Sequence, residues 1–298
     1  MVEAPRVAVP LPRARYNPIP ALLTAPALLL FIGLLFVPLA LTAVLSFSVY
    51  DGTLGVGEGY TLANYIEVLQ DDYYHEIFIR TFVMSLAVTF FSILLGVPEA
   101  IILSRMRAPW RAVFLVIILA PLLISVVVRT LGWAILMGNE GLINSALLGL
   151  GLIDSPLRLL YTMSGVTIAL THVLIPFMII SIWASLQKLD GSVENAGLSL
   201  GASRATVLRR VVLPQIMPGI LSGSIIVFAL AASAFATPAI LGGRRLKVVA
   251  TAAYDEFTGT LNWPLGAAIA VLLLVGMLAV ILGSNRLIER RYAQVFEA

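Results

Sequence analysis

Six largely apolar runs, each at least 22 residues long, leave this chain few ways to fold. They cover residues 22–47, 81–104, 112–136, 161–187, 215–243 and 264–285. A bilayer core about 30 Å thick takes about 20 apolar residues per helix, so each run has the length of a membrane span. Strands of that length would carry unpaired backbone groups into lipid, so helices are the expected element. The first run is too long for the apolar core of a signal peptide and reads as a retained anchor. Composition agrees: the 298 residues are 60% hydrophobic and only 12% charged, against roughly 45–50% and 25% for an ordinary soluble domain. The chain has no cysteine, which excludes disulfides, thiolate nucleophiles and cysteine metal sites.

Basic residues orient the spans. With the amino terminus in the cytoplasm, the inner segments hold Arg6, Arg13 and Arg15; Arg105, Arg107 and Arg111; Lys188, Arg204, Arg209 and Arg210; and Arg286, Arg290 and Arg291. The outer segments hold only Arg80, Arg158, Arg244, Arg245 and Lys247. The expected class is therefore an all-α integral membrane protein with six transmembrane helices and both termini cytoplasmic. Residues 1–21 read as an amino-terminal tail, 22–285 as the membrane domain and 286–298 as a polar tail that ends the last helix. In the longest outer segment, Thr61 is placed to cap a short helix with Leu62, Tyr65, Ile66 and Leu69 on one face. Tyr73, Tyr74 and Phe78 mark the water–lipid boundary.

The inner segment 188–214 is richest in signals. Ser192 is a candidate N-cap, Glu194 suits the first turn of a helix, Gly201 suits its end, and Ser203 caps a second helix running towards Pro214. Ala196, Gly197, Gly201 and Ala202 make a surface that another protein can approach closely, bordered by Arg204, Arg209 and Arg210. Taken alone, this is either a docking elbow or an ordinary positively charged inner loop. Its spacing resembles the EAA motif of permease subunits of binding-protein-dependent ABC importers. Asn195-Ala196-Gly197 stands where Glu-Ala-Ala is usual, Gly201 follows at the motif's interval, and Val211-Val212-Leu213-Pro214 closes it. Glu194 directly precedes the Asn, so the acid is displaced by one position.

Further segments are similar to the spermidine/putrescine branch of that superfamily: Leu62-Ala63-Asn64-Tyr65, Gly96-Val97-Pro98, Val128 to Trp133, Gly141-Leu142-Ile143-Asn144, Phe235 to Gly243, and Asn262-Trp263-Pro264. The resemblance implies a type I importer half-pore in the bacterial inner membrane, with polyamine-like cargo. It further implies a second permease subunit, ABC ATPase subunits that use ATP and Mg, and a periplasmic substrate-binding protein. Glu194, Asn195, Ala196, Gly197, Gly201, Ala202, Ser203, Arg204, Leu213 and Pro214 would then couple the chain to the ATPase. The chain has no Gly-x-x-x-x-Gly-Lys-Ser/Thr loop, so ATP is not bound here and no cofactor is expected. Metal and nucleic-acid sites are not expected either.

Charges inside spans are costly and mark function or a specific structural need. Arg129 either bonds backbone carbonyls where a span breaks, meets an outer acid such as Glu140, or lines a cavity. Glu99, after Pro98, either lines the inner pathway or reaches water at the interface. The two are about twelve residues apart in depth, roughly 18 Å, too far for a direct bridge. Trp133, Phe235, Thr237 and Tyr254 complete the candidate substrate pathway, and His172 with Pro176 reads as helix packing. In polyamine permeases an acid often precedes the Phe at position 235; here it is Ala234. This leaves aminophosphonates, opines and amino-acid-like solutes as alternatives. An ion-driven transporter would need coupling residues and a repeat between halves, and an intramembrane enzyme a nucleophile–base pair; the sequence has neither.

Overall fold

The computed structural model describes residues 19–189 and 191–296. The described residues fall into two separate units, divided between Val44 and Leu45. Helix α1, Ile19–Leu45, is apolar along its length and contains Pro26 and Pro38. Most of the amino-terminal tail expected from the sequence lies outside the described residues.

In the second unit, α2 spans Ala63–Gln70 and α3 spans Asp72–Arg105. Next come α4, Ala108–Leu123; α5, Val126–Leu136; α6, Leu142–Gly149; and α7, Met163–Leu186. Helix α8 is Gly191–Ser199 and α9 is Arg204–Val207; the latter continues through a π turn and a last short turn to Gln215. Helix α10 is Met217–Ala232, α11 is Val249–Asp255 and α12 is Trp263–Phe296. Among the described residues, four helices are long and apolar enough to cross a membrane, and six spans result if each of two bent pairs is one span.

The core is a three-helix contact among α3, α7 and α10, with Met84, Val88, Met178, Ile179 and Ile182 fully buried. Lipid is as apolar as these side chains, so close packing rather than escape from water holds such helices together. Glycines permit it. A Cβ on Gly96 would lie 2.9 Å from Met178 Cγ, and one on Gly223 2.8 Å from Met178 Sδ. At Gly219 the backbones approach still closer, and Ser181 Oγ donates to the Gly219 carbonyl at 2.9 Å. A second cluster at the far end joins α2, the start of α3, α11 and α12 through Val68, Ile77, Val249 and Ile269.

The structure departs from the sequence expectations in specific places. Span three, expected as one helix over 112–136, is two helices meeting at 97°. Pro121 lacks an amide hydrogen and disrupts the preceding turn, Ile124 is extended, and the Arg129 guanidinium donates to the Pro121 carbonyl. Of the three readings of Arg129, this is the backbone one. Span five enters through a 61° bend at Ile216, and its straight helix stops at Ala232. Span two begins nine residues earlier than expected because Asp71 Oδ1 accepts from the Tyr73 amide, 2.8 Å, and caps it. The last helix does not stop at Asn285 but runs to Phe296.

Helix α2 buries a different face from the one its apolar residues suggested. Asn64 and Val68 are buried, whereas Leu62, Ile66 and Leu69 are exposed. The Asn64 amide decides this, donating to the Ser46 and Ser48 carbonyls at 2.9 and 3.0 Å. Thr61 is not its N-cap as expected: that position is Leu62, which makes no side-chain cap bond, and Thr61 Oγ1 instead accepts from the Ala63 amide, 3.0 Å, in the turn just before the helix.

Asn144, within α6, does similar work for the segments on either side of that helix. It is fully buried, donates to the Gly138 and Leu157 carbonyls, and accepts from the Leu157 amide at 2.8 Å. Asn144→Ala should cost about 2–3 kcal/mol by stranding these backbone groups. A lowered thermal midpoint in detergent, with new protease cleavage within 138–160, would check it. An unchanged midpoint would show that water satisfies the segment equally well.

Candidate functional site

The elbow between α7 and α10 has the shape expected of it. Glu194 lies in the first turn of α8, where its charge suits the amino-terminal end of a helix. Ser192 is inside the helix rather than its N-cap, because α8 already begins at Gly191. The helix ends on a left-handed Gly201, φ +84°, with the Gly201 amide on the Leu198 carbonyl and the Ala202 amide on the Gly197 carbonyl. Ser203 caps α9 by accepting from the Thr206 amide at 3.2 Å. Gly197 lets α9 close on α8: a Cβ there would meet Val207 Cγ2 at 3.2 Å.

No residue of α8 is buried. Asn195 and Ala196 are exposed, as are the apolar Val193, Leu198 and Leu200, the last at 89%. Arg204, Arg209 and Arg210 are exposed beside them. Leu213 packs against the three-helix core, and Pro214 sits at the bend into α10. The segment thus has a rigid root and a free outer face. Arg105, the last residue of α3, reaches back to this elbow: its Nη2 lies 2.5 Å from Glu194 Oε1. That contact joins residues 89 positions apart, and nothing in the sequence pointed to it.

The candidate pathway residues fall into two clefts rather than one. Glu99, Trp133 and His172 line a cleft of about 470 Å³ between α3, α4, α5 and α7, walled by Phe91, Pro121 and Pro176. Trp133 Nε1 donates to His172 Nδ1 at 3.3 Å. His172, expected to pack between helices, instead faces this cleft. Phe235 and Tyr254 line a second cleft of about 500 Å³ with Arg244, Lys247 and Asp255, their ring centroids 4.7 Å apart. Lys247 Nζ lies 2.7 Å from Asp255 Oδ2, and this bond raises the ammonium above its ordinary range. Thr237 reaches neither cleft. It is buried against Thr130, Oγ1 to Oγ1 3.3 Å, tying the interrupted end of span five to α5.

Residues 55–294 match the family model described as binding-protein-dependent transport system inner membrane component. The spermidine/putrescine transport system permease protein PotB of Salmonella typhimurium is 30% identical over 263 residues, 87% of this chain and 91% of the relative. PotB of Escherichia coli is 31% identical over 259 residues, 86% and 94% of the two chains. Among solved structures, a bacterial alginate ABC transporter in complex with an alginate pentasaccharide-bound periplasmic protein superposes with a TM-score of 0.75 at 18% identity, covering 92% of this chain and 94% of that one. The inward-facing MetNI methionine ABC transporter gives 0.57 at 16% identity, covering 74% and 98%.

Proposed function

This chain belongs to the binding-protein-dependent transport system inner membrane components, and from that premise we propose that it forms half of the translocation pathway for a polyamine-like small organic solute. It is a permease subunit of an ABC importer and a transport subunit rather than an enzyme. In the proposed assembly it pairs with a second permease. ATPase subunits that consume ATP and Mg dock on the elbow, and a periplasmic binding protein delivers the solute to the opposite end. Both termini then lie in the cytoplasm, as the distribution of basic residues supports.

The observation that carries this reading is α8, a helix with no buried side chain held at a fixed place beneath the three-helix core. A loop needed only to reverse the chain has no reason to present Val193, Leu198 and Leu200 to water. A groove in a partner protein explains them, with Glu194, Asn195, Ala196, Gly197, Gly201, Ala202, Ser203 and Arg204 forming the contact and Leu213 and Pro214 its root. Closure of the ATPase then moves α8, which moves α7 and α10 through their shared core. Glu99, Trp133, Phe235 and Tyr254 are proposed to line the route, while Arg129 and Thr237 hold its broken helices.

The polyamine-like cargo rests on the PotB relatives. The second cleft favours a different member of the same class, since Arg244 and Lys247 face it and the acid there, Asp255, is engaged by Lys247. A solute with an acidic group as well as an amine, such as an aminophosphonate or opine, suits that lining. Proteoliposomes holding both permeases and the ATPase should accumulate labelled putrescine only with ATP at the ATPase side and binding protein at the other. Uptake by this chain without any ATPase would overturn the importer reading. Inhibition of binding-protein-dependent ATP hydrolysis by aminoalkylphosphonate but not by spermidine would replace the polyamine cargo with the acidic one.

A further inference from the structure

Helix α8 is fastened at two points. At its carboxyl end, Gly201 and the Gly197–Val207 approach fix it to α9. At its amino end, Glu194 meets Arg105. Both charges suit their own helices: Arg105 occupies the last turn of α3, where carbonyls point outward, and Glu194 the first turn of α8, where amides do. Among the described residues, the other ion pairs join positions four and eight apart, so this is the one that links distant parts of the chain.

Resting on the importer reading above, we propose that Arg105 and Glu194 are a positioning pair that makes α8 travel with the end of α3. An exposed ion pair contributes little to stability. Its effect is geometric. Without it, the amino half of the nine-residue α8, between the short link from α7 and the Gly197–Val207 contact, is held only by its two ends. The helix is about 13 Å long, and a tilt of about 25° within the slack of that link carries its amino end about 6 Å. With it, a push on the elbow enters span two directly, in addition to spans four and five, which α8 joins by covalent continuity. The displaced acid of the motif explains the arrangement: Glu194 turns towards Arg105, while Asn195 faces outward.

The absence of native cysteine gives clean labelling sites. Nitroxides go on Ile102→Cys, which is exposed on α3, and Gly191→Cys, where a Cβ meets nothing within 4 Å. Pulsed spin-resonance distances are taken in the assembled complex, without nucleotide and with ATP–vanadate. The intact pair should hold the distance within about 2 Å between the two states, whereas Glu194→Gln should let it shift by about 5 Å or more, the travel of a helix tilt of about 25°. Arg105→Lys and the exchange Arg105→Glu/Glu194→Arg should both restore the fixed distance. An equal response to nucleotide in parent and Glu194→Gln, or an exchange that behaves like the single changes, overturns the proposal. Failure of any ATPase to co-purify with the parent defeats the importer reading instead. The pair is then judged without nucleotide, where Glu194→Gln must broaden the distance distribution and an unbroadened one refutes the pair.

Discussion

Gly219→Leu should leave little folded protein in the membrane. A Cβ at this position would lie 2.5 Å from Ser185 Oγ and 2.7 Å from the Ser181 carbonyl oxygen. The second contact is backbone, and no rotamer change relieves it. Helices α7 and α10 must separate, which also breaks the Ser181 Oγ bond to the Gly219 carbonyl and loosens Met178 against both Gly96 and Gly223. Overpacking a closed core costs about 1–3 kcal/mol where side chains give way; here the cost should exceed about 3 kcal/mol, enough to undo a marginally stable fold. A graded series separates this from a general intolerance of larger residues. Gly223→Val meets first the flexible Met178 thioether at 2.8 Å and should cost less. Gly276→Ala meets nothing within 4 Å and should be neutral or stabilising by up to about 1 kcal/mol through helix propensity. Thermal unfolding in detergent reads all three, and equal midpoints for Gly219→Leu and Gly276→Ala would show that the seam is not close-packed.

Two glycines of that seam, Gly219 and Gly223, stand four apart in an apolar run, a period that puts them on one helix face. What they face was not legible, because Met178 and Ser181 are ordinary residues of another span. The same division runs through the molecule. Helix length and apolarity are local, so the runs could be read directly. The caps on Ser203 and Asp71, the left-handed Gly201 and the break after Ala232 follow from short-range rules, though Asp71 needed the register of a helix longer than its apolar part. The 97° turn in span three needed more. Pro121 announces a kink, but not its size, nor that Arg129 reaches back eight residues to the Pro121 carbonyl across it. Helix α2 shows pattern losing to a specific bond, since the Asn64 amide turns Leu62, Ile66 and Leu69 outward. The clefts were the least legible. Thr237 and Phe235 are two residues apart, yet one is buried against Thr130 and the other lines a cavity, with Phe235 in the non-helical break after Ser233 and Thr237 in the helical turn that resumes at Ala236.

Gly201→Trp should abolish coupled uptake while the chain still reaches the membrane and keeps its fold. Gly201 is left-handed at φ +84°, and a Cβ there meets nothing within 4 Å. Any ordinary residue pays roughly 1–2 kcal/mol for that backbone, but inside this chain a bulky side chain finds open space. The harm must therefore come from outside, where an indole projects from the turn into the surface proposed to meet the ATPase. Uptake should fall by about 100-fold or more, the loss typical of a central contact in a close-fitting interface, with thermal midpoint and membrane abundance near the parent's. Gly201→Asn isolates the backbone effect, because Asn tolerates the left-handed region and is small; it should retain most activity. Gly201→Ala carries strain without bulk and should fall between them. Full uptake by Gly201→Trp at parental abundance would mean that no partner closes over the elbow. Equal loss in Asn and Trp would mean that the turn acts through flexibility rather than fit, and the docking face would then have to be sought on Val193, Leu198 and Leu200 alone.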